Sequence, residues 1–237
     1  EDEQTVVEHA KKTCTELIKQ RVDAVLFMPM DLSEENEHIN QEIAEAIEDA
    51  GIALVFLDRD IFKAPQRSKY DRIGVNNELS SQMLTQHLID NGCKKIDVVT
   101  CLGLPPTVKE RIDGYQKAMI ENGMYPVAEQ YHKIDSHDLQ TVEDCVDKTQ
   151  ADALVCINDE VAALLMRSML KRGIRIPEDI RLVGFDDLPI SSYLPVPLTT
   201  VRQPVKDIAH EAFRTIVSRL QDTEMPARDV LLATELI

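Results

Sequence analysis

The sequence lacks the residues that several classes of function require. Its 237 residues include no tryptophan and only 4% aromatic residues, so the aromatic platforms expected of a glycosidase cleft are scarce. Its 26 lysine and arginine residues are outnumbered by 42 acidic residues. The resulting net charge of −16 argues against a nucleic-acid-binding surface in this chain, because such a surface needs clustered basic residues. No apolar run is long enough to cross a membrane, so no membrane contact is expected.

Catalytic and metal-binding signatures are missing as well. The five cysteines are scattered and contain no C-x-x-C pair. That pattern is typical of reduced core cysteines in a cytosolic protein, and not of a disulfide framework or a zinc site. The sequence also contains no G-x-S-x-G, P-loop or G-x-G-x-x-G motif. We therefore predict a cytoplasmic protein that is not an enzyme and that needs no metal or cofactor.

What the sequence does contain is a regular alternation of strands and helices. Short apolar runs at 24–30, 53–57, 95–100 and 153–157 are separated by amphipathic segments with helical spacing. Such an alternation is typical of βαβ units around a parallel sheet. It runs through two comparable blocks, before and after about residue 93. We therefore predict an α/β fold of two doubly wound parallel-sheet lobes, since one very wide sheet is less common.

The start of the chain does not fit a complete doubly wound lobe. The first predicted element is a helix, residues 4–20, and no strand precedes it. Such lobes normally begin with a strand that becomes central in the sheet, and its omission would expose a strand edge. We therefore expect that the first β-α-β unit is absent from this chain and that the natural protein extends upstream of Glu1.

Polar side chains follow several of the predicted strands. These strand-end residues are Asp58, Asn158, Asp186 and Asp187. Each of them could simply cap a helix or a turn. Their recurrence at carboxyl ends, where open α/β sheets bind ligands, favours a binding site instead. Together with the guanidinium of Arg111 they suit hydrogen bonding to vicinal hydroxyls, which points to a sugar or a similar polyol.

Longer segments of the sequence resemble a known family. The stretch Ile176-Pro-Glu-Asp-Ile-Arg-Leu-Val-Gly-Phe-Asp-Asp187, followed by Leu198-Thr-Thr-Val-Arg-Gln-Pro204, resembles the effector-binding domain of LacI/GalR-family bacterial transcription regulators. The segments Val155-Cys-Ile-Asn-Asp-Glu160 and Lys109-Glu-Arg-Ile-Asp-Gly-Tyr115 are similar to the same family. Shorter matches follow in order along essentially the whole chain, and the 176–204 block is the specific part.

The resemblance implies a periplasmic-binding-protein-like clamshell of two lobes, with an effector held between them. It implies an incomplete N-terminal lobe at 1–92 and 204–224, and a C-terminal lobe at 93–203 and 225–237. The expected partners are a small-molecule effector, a second copy of the chain in a homodimer, and operator DNA. The DNA would be read by an N-terminal helix-turn-helix that is not present in this chain.

The resemblance also carries six site positions onto this sequence. The positions that match effector-contacting residues of the family are Arg111, Asn158 and Asp186. The positions that are expected to line the site are Asp58, Thr107 and Gln203. Arg111 and Asp186 would each bind ligand hydroxyls through two hydrogen bonds, and Asn158 would add one more. Asp187 is expected to stabilise the turn.

Two other interpretations remain open at this point. A periplasmic sugar-binding protein of a transport system shares the fold and the ligand class, although the 198–204 block and the unpaired cysteines favour the regulator. An enzyme that acts on sugars, with Asp58 and Asp186 as acid and nucleophile, is the third alternative. Lys109 and Arg59 are compatible with a phosphorylated sugar, but solvated basic residues are the simpler interpretation.

Overall fold

The computed structural model of the chain describes residues 3–31, 34–102 and 105–237. Two predictions fall outside those ranges, namely Ser33 as the first residue of a capped helix and Gly103 as a loop residue. Within the ranges, helices and strands alternate along the chain, which confirms the predicted α/β class. No helix in this part of the chain is both long and apolar enough to cross a membrane.

The chain divides into two compact units. Unit 1 consists of Glu1–Val75 and Pro204–Leu232, and unit 2 consists of Asn76–Gln203 and Ala233–Ile237. Each unit has its own apolar core and its own parallel sheet. Two parallel-sheet units are what the alternation of the sequence predicts.

Unit 1 is built on a four-stranded parallel sheet. Its strands, in spatial order, are β1 (Ala24–Phe27), β2 (Ala53–Leu57), β3 (Asp71–Val75) and β9 (Asp229–Leu232). Its helices are α1 (Glu3–Gln20), α2 (Glu34–Asp49) and α7 (Val205–Gln221).

The sheet of unit 1 is covered on both faces. Leu54 and Phe56 of β2 lie in one apolar cluster, which includes Ile43 and Ile47 of α2. Val55, between them, belongs to a second cluster that contains buried residues of α7. The alternation arises because successive side chains of a strand point to opposite faces of the sheet. Full burial of each such side chain contributes about 1.5–3 kcal/mol.

Unit 2 has a second four-stranded parallel sheet. Its strands, in spatial order, are β5 (Tyr131–Ile134), β4 (Ile96–Cys101), β6 (Ala153–Cys156) and β7 (Arg181–Val183). An antiparallel pair consists of β8 (Val201–Arg202) and β10 (Glu235–Leu236). The helices are α3 (Asn77–Asp90), α4 (Pro106–Glu121), α5 (Leu139–Lys148) and α6 (Asp159–Lys171).

Strand β6 is the centre of the unit 2 core. Leu154 and Cys156 belong to an apolar cluster with α5 and α6. Val155 belongs to the opposite cluster, with Leu84 of α3 and Tyr115 of α4. Because β6 is buried over its whole length, it reads as the continuous apolar run that is typical of a parallel sheet.

Most cysteines lie in these cores, as the sequence predicts. The buried ones are Cys14, Cys93, Cys145 and Cys156. Burial raises the pKa of Cys145 to about 12, so its thiol stays protonated at neutral pH. These residues therefore act as small apolar side chains.

The observed units differ from the predicted lobes at two elements. Helix α3 falls within the predicted first lobe, 1–92, but it belongs to unit 2 because Leu84 and Leu88 pack into that core. Its close approach to α4 is possible because Gly114 has no side chain, and a Cβ there would lie 2.1 Å from the carbonyl oxygen of Glu78. Strand β9 falls within the predicted 225–237 portion of the second lobe, but it pairs with β3 of unit 1.

Candidate functional site

Several of the predicted residues lie at the carboxyl edge of the unit 2 sheet. Asn158 comes two residues after β6, and Asp186 comes three residues after the neighbouring strand β7. Gln203 follows β8 directly, and Arg111 lies on α4. Because parallel strands end at the same edge, chain segments far apart in sequence converge there.

Arg111 is the centre of the contacts at this edge. Its Nε donates to Asn77 Oδ1 at 2.9 Å, and its Nη1 donates to the Ile157 carbonyl oxygen at 2.6 Å. Its Nη2 donates to Asp186 Oδ1 at 3.3 Å. The guanidinium also lies over the ring of Phe185, with Cζ 3.6 Å from the ring centroid. The Arg111 side chain is only 10% exposed, so its charge is buried but well paired.

Asp186 is held from two sides in an unusual backbone conformation. Its Oδ1 accepts from Gln203 Nε2 at 2.7 Å as well as from Arg111. Its backbone N–H donates to the Val201 carbonyl oxygen at 2.9 Å. Its φ is +110°, which is rare for a residue other than glycine. Strain of this kind persists only where the surroundings fix it, and it is concentrated at functional sites.

Asp187 serves the turn, in keeping with its prediction. Its Oδ2 accepts from Arg202 Nε at 2.6 Å, and its Oδ1 accepts from Ser191 Oγ at 3.4 Å. Its φ of +53° continues the left-handed conformation that begins at Asp186. Both carboxylate oxygens are thus engaged, one by Ser191 of the same loop and the other by Arg202 of β8.

Asn158 is the N-cap of α6. Its Oδ1 accepts from the Val161 N–H at 2.8 Å, so the capping interpretation applies to that oxygen. The residue before it, Ile157, presents the carbonyl oxygen that Arg111 binds. The strand end therefore contributes a backbone acceptor to the site, and the amide nitrogen of Asn158 is the part of that side chain that the cap does not use.

Thr107 lies in the first turn of α4 and is only 5% exposed.

Asp58 belongs to unit 1, where it follows β2 with φ +68°. The Asp58 Oδ2 lies 3.3 Å from Nη2 of Arg59. The N–H of Asp58 donates to the carbonyl oxygen of Ile73 in β3. The next residue, Gly74, allows the two backbones to lie this close, since a Cβ there would lie 3.2 Å from the Asp58 Cα.

Two residues outside the six predicted site positions also shape the unit 2 edge: Asn77, which the sequence pattern does not indicate, and Asp159, which follows Asn158 at the end of β6. Asn77, the first residue of α3, is 1% exposed and binds Arg111 from a position 34 residues away in sequence. Asp159 is 0% exposed and accepts from the Leu188 N–H at 2.7 Å. Burial, together with the charges of Asp186 and Asp187, raises the pKa of Asp159.

The resulting arrangement is suited to binding a polar ligand. The guanidinium of Arg111 and the carboxamide of Gln203 both donate to the carboxylate of Asp186. No group of three or more His, Cys, Asp or Glu side chains that could hold a metal ion occurs among the described residues. Such a set can bind a polar ligand with several hydroxyl groups.

The chain is similar to known proteins over most of its length. Residues 85–237 match the family model described as a periplasmic binding protein-like domain. The HTH-type transcriptional repressor PurR of Vibrio parahaemolyticus is 29% identical over 229 residues. That match covers 93% of this chain and 64% of the relative, so the chain spans just under two thirds of the relative's length.

Two solved structures are similar in fold. The transcriptional regulator CelR in complex with cellobiose has a TM-score of 0.83 and 22% identity, over 96% of this chain and 68% of that chain. The transcription regulator CcpA of Lactococcus lactis has a TM-score of 0.82 and 21% identity, over 100% of this chain and 84% of that chain. The likeness confirms the predicted periplasmic-binding-protein-like fold.

Proposed function

The chain belongs to the family of periplasmic binding protein-like domains, and from this we propose that it is the effector-binding and dimerisation domain of a sugar-responsive transcriptional regulator. The predicted resemblance to LacI/GalR-family regulators is confirmed by the match to a transcriptional repressor along 93% of the chain. The effector, the dimer and the DNA-binding function of the whole protein are proposals.

The observation that carries the proposal is the contact set of Arg111, Asp186 and Gln203. A structural ion pair would be expected to bury both partners, but the Asp186 side chain is 24% exposed against 10% for Arg111. The rigid guanidinium is fixed by other acceptors and by the Phe185 ring. It therefore holds the more accessible carboxylate in one position, which preorganises it for a ligand.

A sugar fits the chemistry of this edge. Arginine and aspartate together offer several donors and acceptors in fixed directions, as vicinal hydroxyls require. Aromatic rings are scarce, and Phe185 beside Arg111 is only 1% exposed, so it offers no open face to a ligand. Binding therefore depends chiefly on hydrogen bonds. The structurally similar regulator CelR was solved with cellobiose, which supports the same ligand class for this protein.

The remaining predicted positions are proposed as lining residues. Asn158 would donate through its amide nitrogen, since its oxygen caps α6. Thr107 is proposed to lie near the ligand on α4, where its small exposed fraction restricts it to a minor contact. Asp58, which follows β2 with a positive φ, is proposed as a further lining residue.

In the proposed mechanism, effector binding alters the affinity of the whole regulator for operator DNA. The effector must bind two conformations of the homodimer unequally, because a ligand of equal affinity shifts no equilibrium. Coupling free energies of this kind are typically about 1–3 kcal/mol. A cytoplasmic location follows from this role.

A periplasmic sugar-binding protein of a transport system is the second candidate, because it would share the family and the fold. The names of the relatives, which are transcriptional regulators, favour the first proposal and also favour a protein that is not an enzyme. The two candidates differ in DNA binding. If the full-length protein fails to bind any fragment of its own promoter region, with or without sugars, the transport role gains support.

A thermal-shift screen against sugars and sugar phosphates tests the ligand class. A ligand at 100 times its dissociation constant adds about 2.7 kcal/mol to the unfolding free energy, which is easily detected. If no member of a broad panel raises the melting temperature, the sugar proposal is wrong. A hit that is turned over to a product would instead favour the enzyme.

Calorimetry with the screened sugar then tests the site. Asp186→Asn should weaken its binding by at least tenfold, because a charged acceptor is lost. The matched control is Asp113→Asn, an exposed acid of α4 two residues beyond Arg111. Equal affinity in the Asp186→Asn variant and the wild type would refute the site but not the family.

A further inference from the structure

Asp159 is a buried acid that lies between the two segments of the candidate site. It is the first residue of α6 and is 0% exposed. Its Oδ2 accepts from the Leu188 N–H at 2.7 Å, and its Oδ1 accepts from Thr200 Oγ1 at 2.6 Å. Its own N–H donates to the Phe185 carbonyl oxygen at 2.9 Å. One residue therefore binds the loop after β7 at two points and the segment that leads into β8.

The packing around Asp159 leaves no space for an adjustment. A Cβ on Gly184 would lie 2.3 Å from Asp159 Oδ1 and 2.7 Å from Leu198 Cδ2. Position 184 must therefore be glycine for the carboxylate to reach Thr200. This contact gives a physical reason for the glycine in the Gly-Phe-Asp-Asp motif, since its φ is not in the left-handed region.

The two bonds to the loop enclose the strained residues. Phe185 and Leu188 are bound to Asp159, and the residues between them, Asp186 and Asp187, have φ of +110° and +53°. Residues other than glycine do not hold this conformation without support from the surroundings. Asp159 supplies that support at both ends of the four-residue segment.

The third bond fixes the partner segment. Thr200 precedes Val201, whose carbonyl oxygen accepts from the Asp186 N–H at 2.9 Å. Gln203, three residues after Thr200, donates to Asp186 Oδ1 at 2.7 Å. The two segments also pair through the Gly184 N–H, which donates to the Thr199 carbonyl oxygen at 2.9 Å, and the bond between Asp159 and Thr200 adds a side-chain anchor to that registry.

We propose that Asp159 is the positioning residue of the candidate effector site, which it controls by holding Asp186 and Gln203 in register without touching the ligand. The inference rests on the proposed function only for the role of Asp186 as a ligand contact. The geometric part concerns the protein alone and is tested without any effector.

Charge and hydrogen bonding have separate roles at this residue. The acids Asp186 and Asp187 lie near it and, with burial, raise its pKa, whereas the bonds from Thr200 and Leu188 act in the opposite direction. Arg111 and Arg202 pair with those two neighbouring acids. The positioning role needs one hydrogen bond to Leu188 and one to Thr200 and not the negative charge, so a neutral side chain of the same shape should preserve it.

Amide hydrogen exchange by NMR separates a positioning role from a local cap. In Asp159→Ala the Leu188 amide loses its acceptor directly, so faster exchange there is expected in either case. The Asp186 amide keeps its own acceptor, the Val201 carbonyl oxygen. Its exchange rate therefore reports whether the two segments stay in register. We expect its exchange to become about tenfold to hundredfold faster, together with a shift of the Gln203 side-chain amide signals.

Two further variants complete the test. Asp159→Asn can accept from Leu188 through its oxygen and donate to Thr200 through its nitrogen, so Asp186 exchange should stay within about threefold of the wild type. Thr200→Val removes the bond to Asp159 and the longer bond that the Thr200 hydroxyl accepts from the Asp187 N–H at 3.4 Å, and it serves as the second variant if Asp159→Ala does not fold. It should still accelerate exchange at Asp186. The matched control is Asp138→Ala, which removes the acidic N-cap of α5.

The outcomes are distinct. Unchanged Asp186 exchange and unchanged Gln203 signals in both Asp159→Ala and Thr200→Val would reduce Asp159 to a local cap and overturn the proposal. Failure of Asp159→Asn to restore slow exchange would overturn the assignment of the role to its hydrogen bonds. A sugar screen without hits would refute the proposed ligand class and leave this result unaffected.

Discussion

Asp71 in unit 1 and Asp186 in unit 2 both bind arginine, but they do so in different ways. Asp71 begins β3, is 0% exposed and accepts from Arg219 through Nε at 3.0 Å and Nη2 at 2.7 Å. It also accepts from the N–H and the Nε of Arg228, at 2.9 and 3.3 Å. Asp186 comes after β7, keeps 24% of its side chain exposed and has a strained backbone.

The difference distinguishes a structural carboxylate from a candidate binding one. Each oxygen of Asp71 is already bound to two donors from residues that precede β9. Arg219 also donates to carbonyl groups of the same connection, including that of Met225. Asp71 therefore fixes the segment between α7 and β9, and no surface is left for a ligand.

The largest effect is expected from Asp71→Ala. The change leaves two guanidinium groups without their buried partner, and breaking a buried pair typically costs about 3–5 kcal/mol. The unfolding free energy measured in urea should fall by that amount. Asp179→Ala, which breaks the exposed pair with Arg175, is the control and should leave the midpoint unchanged. A loss similar to that of the control would mean that Asp71 is not the structural clamp inferred from its contacts.

Arg111→Ala is expected to have the second largest effect on stability, because Arg111 supports the fold as well as the candidate site. The change frees the Ile157 carbonyl oxygen and Asn77 Oδ1 in a buried region and exposes one face of Phe185. We expect the unfolding free energy to fall by about 2–4 kcal/mol.

Arg111→Lys is the matched variant for the same measurement. Lysine keeps the positive charge but cannot reproduce the three-directional fork of the guanidinium. We expect about half of the loss measured for Arg111→Ala. If both variants are as stable as the wild type, Arg111 does not contribute to the stability of the fold, and its contacts matter for ligand binding alone.

The same pair of acids shows how far the sequence could predict the site. Asp186 was predicted because it follows an apolar run in a specific motif, whereas Gln203 was predicted only through the resemblance of the 198–204 block to a known family. Asp71 was not, because its arginine partners lie 148 and 157 residues away and no local pattern connects them. Asn77 was missed for the same reason, since its partner is 34 residues distant and a helix start is an ordinary place for asparagine.

The fold was predicted more completely than its boundaries. Strands with continuous apolar runs, such as β6, were found because burial on both faces leaves a strong signal. Strand β5 was missed because only Ile134 of its four residues is buried. The membership of α3 depends on its packing with α4 through Gly114, which is a tertiary contact that the sequence pattern does not reveal.

Asp186→Asn should have a smaller effect on stability than either change above. The carboxamide keeps an oxygen for Arg111 or Gln203, and partly exposed pairs contribute about 0–1 kcal/mol. We expect the unfolding free energy measured in urea to change by about 1 kcal/mol or less. The affinity for the effector should fall at least tenfold. A stability loss as large as that of Asp71→Ala would remove the distinction between the two acids and make Asp186 structural.

The smallest expected effect is on the pH dependence of stability, and it concerns Asp159. Its pKa is raised in the folded protein by burial and by Asp186 and Asp187, so the folded state binds its proton more tightly than the unfolded state does. Stability contributed by this group must then fall as pH rises from the ordinary aspartate range through the raised pKa, and level off above it. Subtracting the unfolding free energy of Asp159→Asn from that of the wild type at each pH isolates this contribution. A difference that rises with pH instead would mean that the hydrogen bonds from Leu188 and Thr200 outweigh burial, and that the pKa of Asp159 is lowered in the folded protein.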